Sequence, residues 1–130
     1  MRILVVDDDA IVIKSCKYIL EAEGFEVATV SSAENALQVI RQNEFDLLLI
    51  DVKMPKHDGL YLMREIKKNL PEIPIIVMSG YPTPKTVSEV FELGATQFIP
   101  KPFRPDELAQ LVHQVIQKEF KRIQFPTGAG

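Results

Sequence analysis

Six side chains carry the chemistry legible in this sequence: Asp7, Asp8 and Asp9 in "ILVVDDDA", Asp51 in "FDLLLIDVKMP", Ser79 in "IPIIVMSGY" and Lys101 in "TQFIPKPF". The apolar run Ile3 to Val6 meets three carboxylates spread over about 10 Å of chain at strand spacing. Like charges that close repel, and an apolar neighbourhood sharpens the repulsion. A hard cation among them relieves it, and Mg²⁺ takes one or two carboxylates together with waters and phosphate oxygens. A carboxylate is also a nucleophile that forms an aspartyl phosphate. A hydroxyl and an ammonium would then receive the phosphoryl oxygens, because phosphoryl transfer is mostly positioning and electrostatics. Asp51 is the candidate nucleophile, since it closes the middle apolar run.

These groups act together only if the chain gathers them, and the pattern between them says how. Strand-like runs at Ile3 to Val6, Glu26 to Val30, Leu47 to Ile50, Ile75 to Met78 and Gln97 to Ile99 alternate with helical patterns. The first, third and fourth are continuous rather than alternating, as in parallel strands covered on both faces. Helices are expected at Ile11 to Glu23, closed by Gly24, and after Ser31, whose spacing to Glu34 is that of a capping box. Three more are expected at Leu60 to Leu70, at Val87 to Leu93 before Gly94, and at Pro105 to Phe120 with proline in the first turn. Strand and helix alternating five times predict a doubly wound parallel α/β sheet with helices on both faces. Ligands bind such sheets outside the carboxyl ends of the strands, near the reversal of strand order. That rim is where all six residues fall.

The composition agrees. A chain of 130 residues, 46% hydrophobic and 25% charged, suits one globular domain without staples. A net charge of -3 argues against a nucleic-acid surface. The single cysteine, Cys16, lies in an apolar helical pattern and has no internal partner, so a reducing, cytoplasmic setting is expected. The first apolar run is too short for a signal peptide or a membrane span, so no membrane partner is expected. The domain is expected over residues 1–120, with 121–130 a flexible tail or linker remnant in which Phe125 to Gly130 is the linker-like part. That tail is too short for an output domain, and nothing reads as a helix-turn-helix.

With Asp7-Asp8, Asp51, Ser79 and Lys101 at successive strand ends, the chain resembles the receiver domains of two-component response regulators over residues 2–120. The resemblance implies a flavodoxin-like strand order 2-1-3-4-5. It makes Asp51 the phosphoacceptor, served by a sensor histidine kinase or a histidine phosphotransfer protein. Asp8, Asp51 and the Lys53 backbone carbonyl become Mg²⁺ ligands, with Asp7 acting on the metal largely through water. Ser79 and Lys101 bind the phosphoryl group, Phe98 takes the aromatic switch position with Ser79, and the Lys101-Pro102 peptide is cis. Such a domain is no enzyme beyond Mg²⁺-dependent self-phosphorylation and autodephosphorylation. Its output is a protein-binding surface read by a downstream target or a fused output domain.

Some residues carry other readings. Asp9 suits a helix cap. Met54-Pro55 and Asp58-Gly59 read as turn chemistry. His57 and His113 lack metal-ligand spacing and read as solvated surface, and Phe98 also fits a core position. Compared with the family pattern, Ser79 replaces the commoner threonine and Phe98 lacks the hydroxyl of the commoner tyrosine. Arg104 stands where a capping side chain is usual, which predicts a poorly capped last helix. A phosphatase of the haloacid-dehalogenase kind needs a second acid two residues after its nucleophile, where this chain has Lys53. An FMN carrier needs a phosphate cradle in its first loop, where three aspartates repel the ligand. An interaction module that keeps the fold without phosphorylation is the remaining alternative.

Overall fold

Runs of Ile, Leu and Val become strands where both faces can be covered, and five such runs build the sheet of this protein. The computed structural model describes residues 1–53 and 58–124. Its elements are β1 (Arg2–Val6), α1 (Ala10–Ala22), β2 (Glu26–Val30), α2 (Ala33–Gln42), β3 (Leu47–Asp51), α3 (Gly59–Asn69), β4 (Ile75–Ser79), α4 (Pro84–Glu92), β5 (Gln97–Pro100) and α5 (Pro105–Gln124). The strands lie in the order β2-β1-β3-β4-β5, and every adjacent pair is parallel. The chain runs from β1 outward to β2, then crosses back to place β3 on the other side of β1. The reversal therefore lies between β1 and β3, the strands that end at Asp7 and Asp51.

The period-2 rule divides the core into two layers. Leu4, Val6, Leu48, Ile50, Ile75 and Val77 face one way, onto Ala33, Ala36, Leu62, Met63, Ile66 and Val90 of α2, α3 and α4. Ile3, Val5, Leu47, Leu49, Ile76 and Met78 face the other way, onto Cys16, Leu20, Leu108, Val112 and Val115 of α1 and α5. Complete burial on both faces explains why β1, β3 and β4 read as unbroken apolar runs. Gly24 and Gly94, at φ of 91° and 102°, end α1 and α4 in the left-handed conformation that side chains resist.

Several boundaries differ from the expectations, each for a local reason. The cap of α2 is Ser32 rather than Ser31, its hydroxyl accepting from the Asn35 N–H at 3.1 Å. Helix α4 opens at Pro84, earlier than Val87, because Thr83 caps it and proline is tolerated in a first turn. Helix α5 continues past Phe120 to Gln124; Phe125 to Gly130 lie outside the described residues. The start of α5 is also better held than its missing cap implied. The Glu107 carboxylate accepts from the Arg104 backbone N–H at 3.1 Å, one half of a capping box, while the Arg104 side chain pairs with Asp106 and Glu107. His113 is half-buried rather than solvated, 2.8 Å from a Glu23 oxygen and stacked at a tilt on Phe25. His57, Met54 and Pro55 fall outside the described residues.

Cys16 lies fully buried beneath the rim. Burial, with the Asp7 carboxylate adding to it, pushes its thiol from 9.0 up to about 12. Since the thiolate is the reactive form, alkylation in native buffer at neutral pH should be slower than in urea by orders of magnitude. Intact mass against time measures both rates, and equal rates would place the thiol at the surface.

Candidate functional site

The sheet's register decides what meets what at its upper rim. Asp7 directly follows β1 and Asp51 closes β3, the neighbouring strand across the reversal point. Ser79 closes β4, pairing with Pro100, and its carbonyl accepts the Lys101 N–H at 2.8 Å. Lys101 thus starts from the edge strand, and strand spacing of about 4.8 Å puts β1 three steps away. Its long side chain closes that gap. The Lys101 Nζ lies 2.7 Å from Asp7 Oδ2 and 3.0 Å from Asp51 Oδ1. The Lys101-Pro102 peptide is cis, as the resemblance implies.

Asp7 is completely buried, and both of its oxygens are engaged: Oδ2 by Lys101, Oδ1 by the Asp9 backbone N–H at 2.9 Å. Asp9 caps α1, its Oδ1 accepting from the Ile11 N–H at 2.9 Å. The local pattern "DDD" therefore divides three ways, into a buried anchor, an exposed carboxylate on Asp8 and a helix cap. The repulsion expected between Asp7 and Asp8 is not left to a cation alone, because Lys101 already supplies a positive charge to Asp7. Asp51 is 5% exposed. Burial, followed by the charge of Asp7, pushes its carboxyl up to about 6, against the pull of the Lys101 hydrogen bond. For Lys101, burial works downward, but its hydrogen bonds to Asp7 and Asp51 prevail and hold the ammonium above its ordinary value.

One oxygen each from Asp7, Asp8 and Asp51 lies within 4.8 Å of the others. An all-oxygen set with one exposed member suits a hard, partly hydrated divalent cation. With both Asp7 oxygens engaged, Asp8 and Asp51 hold the freer lone pairs.

Ser79 is buried, and its Oγ accepts from the Tyr81 N–H at 3.1 Å. Phe98 is half-buried and packs on the α2–α3–α4 side of the core. Lys53 is exposed, with its ammonium 4.3 Å from the centre of the Tyr81 ring. That contact joins the loops after β3 and β4 across the mouth of the cluster. No local motif announces it, because the partners are 28 positions apart. Gly59 was also missed. The Asp58-Gly59 pair looks like a free turn, yet Asp58 caps α3 through the Tyr61 N–H at 3.0 Å and Gly59 is the first residue of that helix. The caps and glycines of β-to-α junctions are the signal that would have found it.

Comparison with known proteins agrees with the fold. The family model of the response regulator receiver domain matches residues 3–113. The transcriptional regulatory protein ZraR of Escherichia coli K12 is 35% identical over 114 residues, covering 88% of this chain and 26% of that protein. The cell cycle transcriptional regulator CtrA of Caulobacter vibrioides is 29% identical over 118 residues, covering 91% of this chain and 51% of CtrA. This chain thus spans about a quarter of ZraR and half of CtrA. Among solved structures, a CheY-like receiver domain protein from Methanospirillum hungatei superposes with a TM-score of 0.89 at 33% identity, covering 93% of this chain and 97% of the other.

The electrostatics of Asp51 carry a sign that denaturation can read. Its folded-state carboxyl titrates at about 6 against an ordinary 3.8, so folding favours the protonated form. The stability this contributes is full below 3.8 and lost as pH rises through about 6. Asp51→Asn should therefore stabilise the metal-free protein at neutral pH by on the order of 1–3 kcal/mol, and by much less near pH 4. Urea titrations in EDTA at the two pH values test this. A variant less stable at both would mean that the Lys101 ion pair outweighs the burial.

Proposed function

The chain belongs to the response regulator receiver domain family, and from that premise we propose that Asp51 is its phosphoacceptor, with Lys101 and Ser79 as the groups that receive the phosphoryl oxygens. The observation that carries the reading is the Lys101 ammonium placed between Asp7 and Asp51, with the buried Ser79 hydroxyl on the intervening strand. An Asp51 oxygen bonds to phosphorus as the P–N bond of a kinase or phosphotransfer phosphohistidine, or the P–O bond of acetyl phosphate, breaks. The leaving imidazole or acetate departs to solvent. Lys101 already faces the Asp51 carboxylate and presents further N–H donors to the incoming oxygens. Mg²⁺ held by Asp8, Asp51 and the Lys53 backbone carbonyl, with Asp7 acting through water, would supply charge that offsets repulsion between carboxylates and phosphoryl oxygens. Hydrolysis of the aspartyl phosphate returns the domain to its resting state, and no other catalytic activity is proposed. The setting is cytoplasmic in this reading; among the described residues no helix is long and apolar enough to cross a membrane.

The output is a changed binding surface. A phosphoryl group adds about -1.5 to -2 charge and three acceptor oxygens, which draw Ser79 toward the site. A chain of hydrogen bonds carries that movement onward: Tyr81 N–H to Ser79 Oγ at 3.1 Å, Thr83 N–H to the Tyr81 carbonyl at 2.9 Å, and Thr86 N–H to Thr83 Oγ1 at 3.2 Å in the first turn of α4. Phe98, on the strand beside β4 and without a hydroxyl to hold it outward, moves into space vacated near Ser79. The face of α4, β5 and α5, where Phe91 is exposed, is then read by a target protein or fused output domain. The receiver unit includes α5 to its end. The wider regulators ZraR and CtrA are named as transcriptional regulators, and an equivalent output for this chain is part of the proposal.

Incubation with acetyl phosphate and Mg²⁺ should add one phosphoryl group by intact mass, and none to Asp51→Asn. Asp8→Ala should raise the Mg²⁺ concentration needed for half-maximal labelling. Labelling of Asp51→Asn at the parent rate would sink the assignment of Asp51, whereas no labelling of the parent would leave the interaction module that keeps the fold without phosphorylation as the better reading.

Beryllofluoride with Mg²⁺, standing in for the bound phosphoryl group, should shift backbone amides from Gly80 through Phe103. Shifts confined to Asp7, Asp51 and Lys101 would make the domain a phosphate sink rather than a switch.

A further inference from the structure

Resting on the phosphoacceptor reading, we infer that Gly59 is a positioning residue for Asp51: its missing side chain is what lets the first turn of α3 close directly onto the end of β3. A Cβ at Gly59 would overlap the Asp51 carbonyl oxygen and stand 2.9 Å from the Val52 Cα and 3.1 Å from the Asp51 carbonyl carbon. All three are backbone atoms, so no side chain can rotate to make room. Gly59 is buried, and its N–H donates to the Val52 carbonyl at 2.7 Å, which pulls the helix inward. Its φ is not in the left-handed region, so glycine serves here for space and not for conformation.

Neither body in this contact can retreat freely. The end of β3 is tied to β4 by the Val52 N–H to Met78 carbonyl bond at 3.1 Å and by the ladder pairing of Asp51 with Met78. On the other side, Leu62, Met63 and Ile66 lock α3 into the core, and Asp58 caps its first turn. Close-packed interiors transmit such strain rather than absorb it. A methyl group at position 59 therefore displaces the Asp51 main chain, and with it the carboxylate that Lys101 meets at 3.0 Å and that shares the acidic cluster with Asp7 and Asp8. An error of about 1 Å in such a site can cost on the order of a hundredfold in rate.

The test compares Gly59→Ala with Gly24→Ala. Gly24 sits at φ +91° with nothing within 4 Å of an added Cβ, so its alanine variant loses stability through backbone strain far from the rim. Two readouts are taken on both variants: Mg²⁺ affinity by calorimetry, which needs no phosphoryl chemistry, and the rate of labelling by acetyl phosphate. Gly59→Ala should bind Mg²⁺ several-fold more weakly and label about tenfold or more slowly, whereas Gly24→Ala keeps both within about twofold. Parent-like values for Gly59→Ala, or equal losses in Gly24→Ala, would overturn the inference. If Gly59→Ala does not fold, Asp58→Ala loosens the same contact by removing the cap, and the same criteria apply to it. Should the parent itself take no label, the phosphoacceptor reading fails, while the Mg²⁺ titrations still decide the role of Gly59.

Discussion

The rim of this domain is organised by one ammonium group. Lys101 reaches from the edge strand to Asp51 and Asp7, and without it two carboxylates with almost no exposure would face each other in an apolar setting. Buried ion pairs are weak contributors to net stability, because desolvation cancels most of the attraction. Their value is geometric: the pair specifies where β5 ends relative to β1 and β3, and it keeps a positive charge beside Asp51. The raised Asp51 carboxyl shows that the compensation is incomplete. That residual cost is one that a bound divalent cation would relieve.

Around that pair, each β-to-α junction does a separate task with similar residues. After β1, Asp9 caps α1 while its N–H holds Asp7, so the cap of the helix and the anchor of the site are neighbours in the chain. After β3, Asp58 caps α3 and Gly59 lets it press on the strand end. After β4, the Ser79 hydroxyl holds the Tyr81 N–H, and Thr83 caps α4. Below the site the strands are pinned by their ladders, and above it single hydrogen bonds link Ser79 to α4. That division suits a domain whose family couples a chemical event to a change of surface.

Much of this was legible in the sequence. Continuous apolar runs predicted parallel strands, their alternation with helical patterns predicted the doubly wound sheet, and polar residues closing those runs marked the rim. Helix caps were less legible: Ser32 displaced Ser31, and α5 was held by Glu107 rather than by a side chain at Arg104. Capping depends on the dihedral angles of one residue, which composition and spacing do not specify.

By itself, then, the sequence determined which residue types stand at which strand ends, because period and polarity are properties of neighbouring residues. Only the tertiary structure decided their division of labour. Asp7 became the buried partner of Lys101, Asp8 the exposed carboxylate and Asp9 a cap, although the three are chemically identical. It also brought Lys53 onto Tyr81 and Gly59 onto Asp51. Those contacts depend on strand register and on the height at which each helix meets the sheet. Both are set by packing across the whole core, among residues far apart in the chain, so no local stretch of sequence contains them.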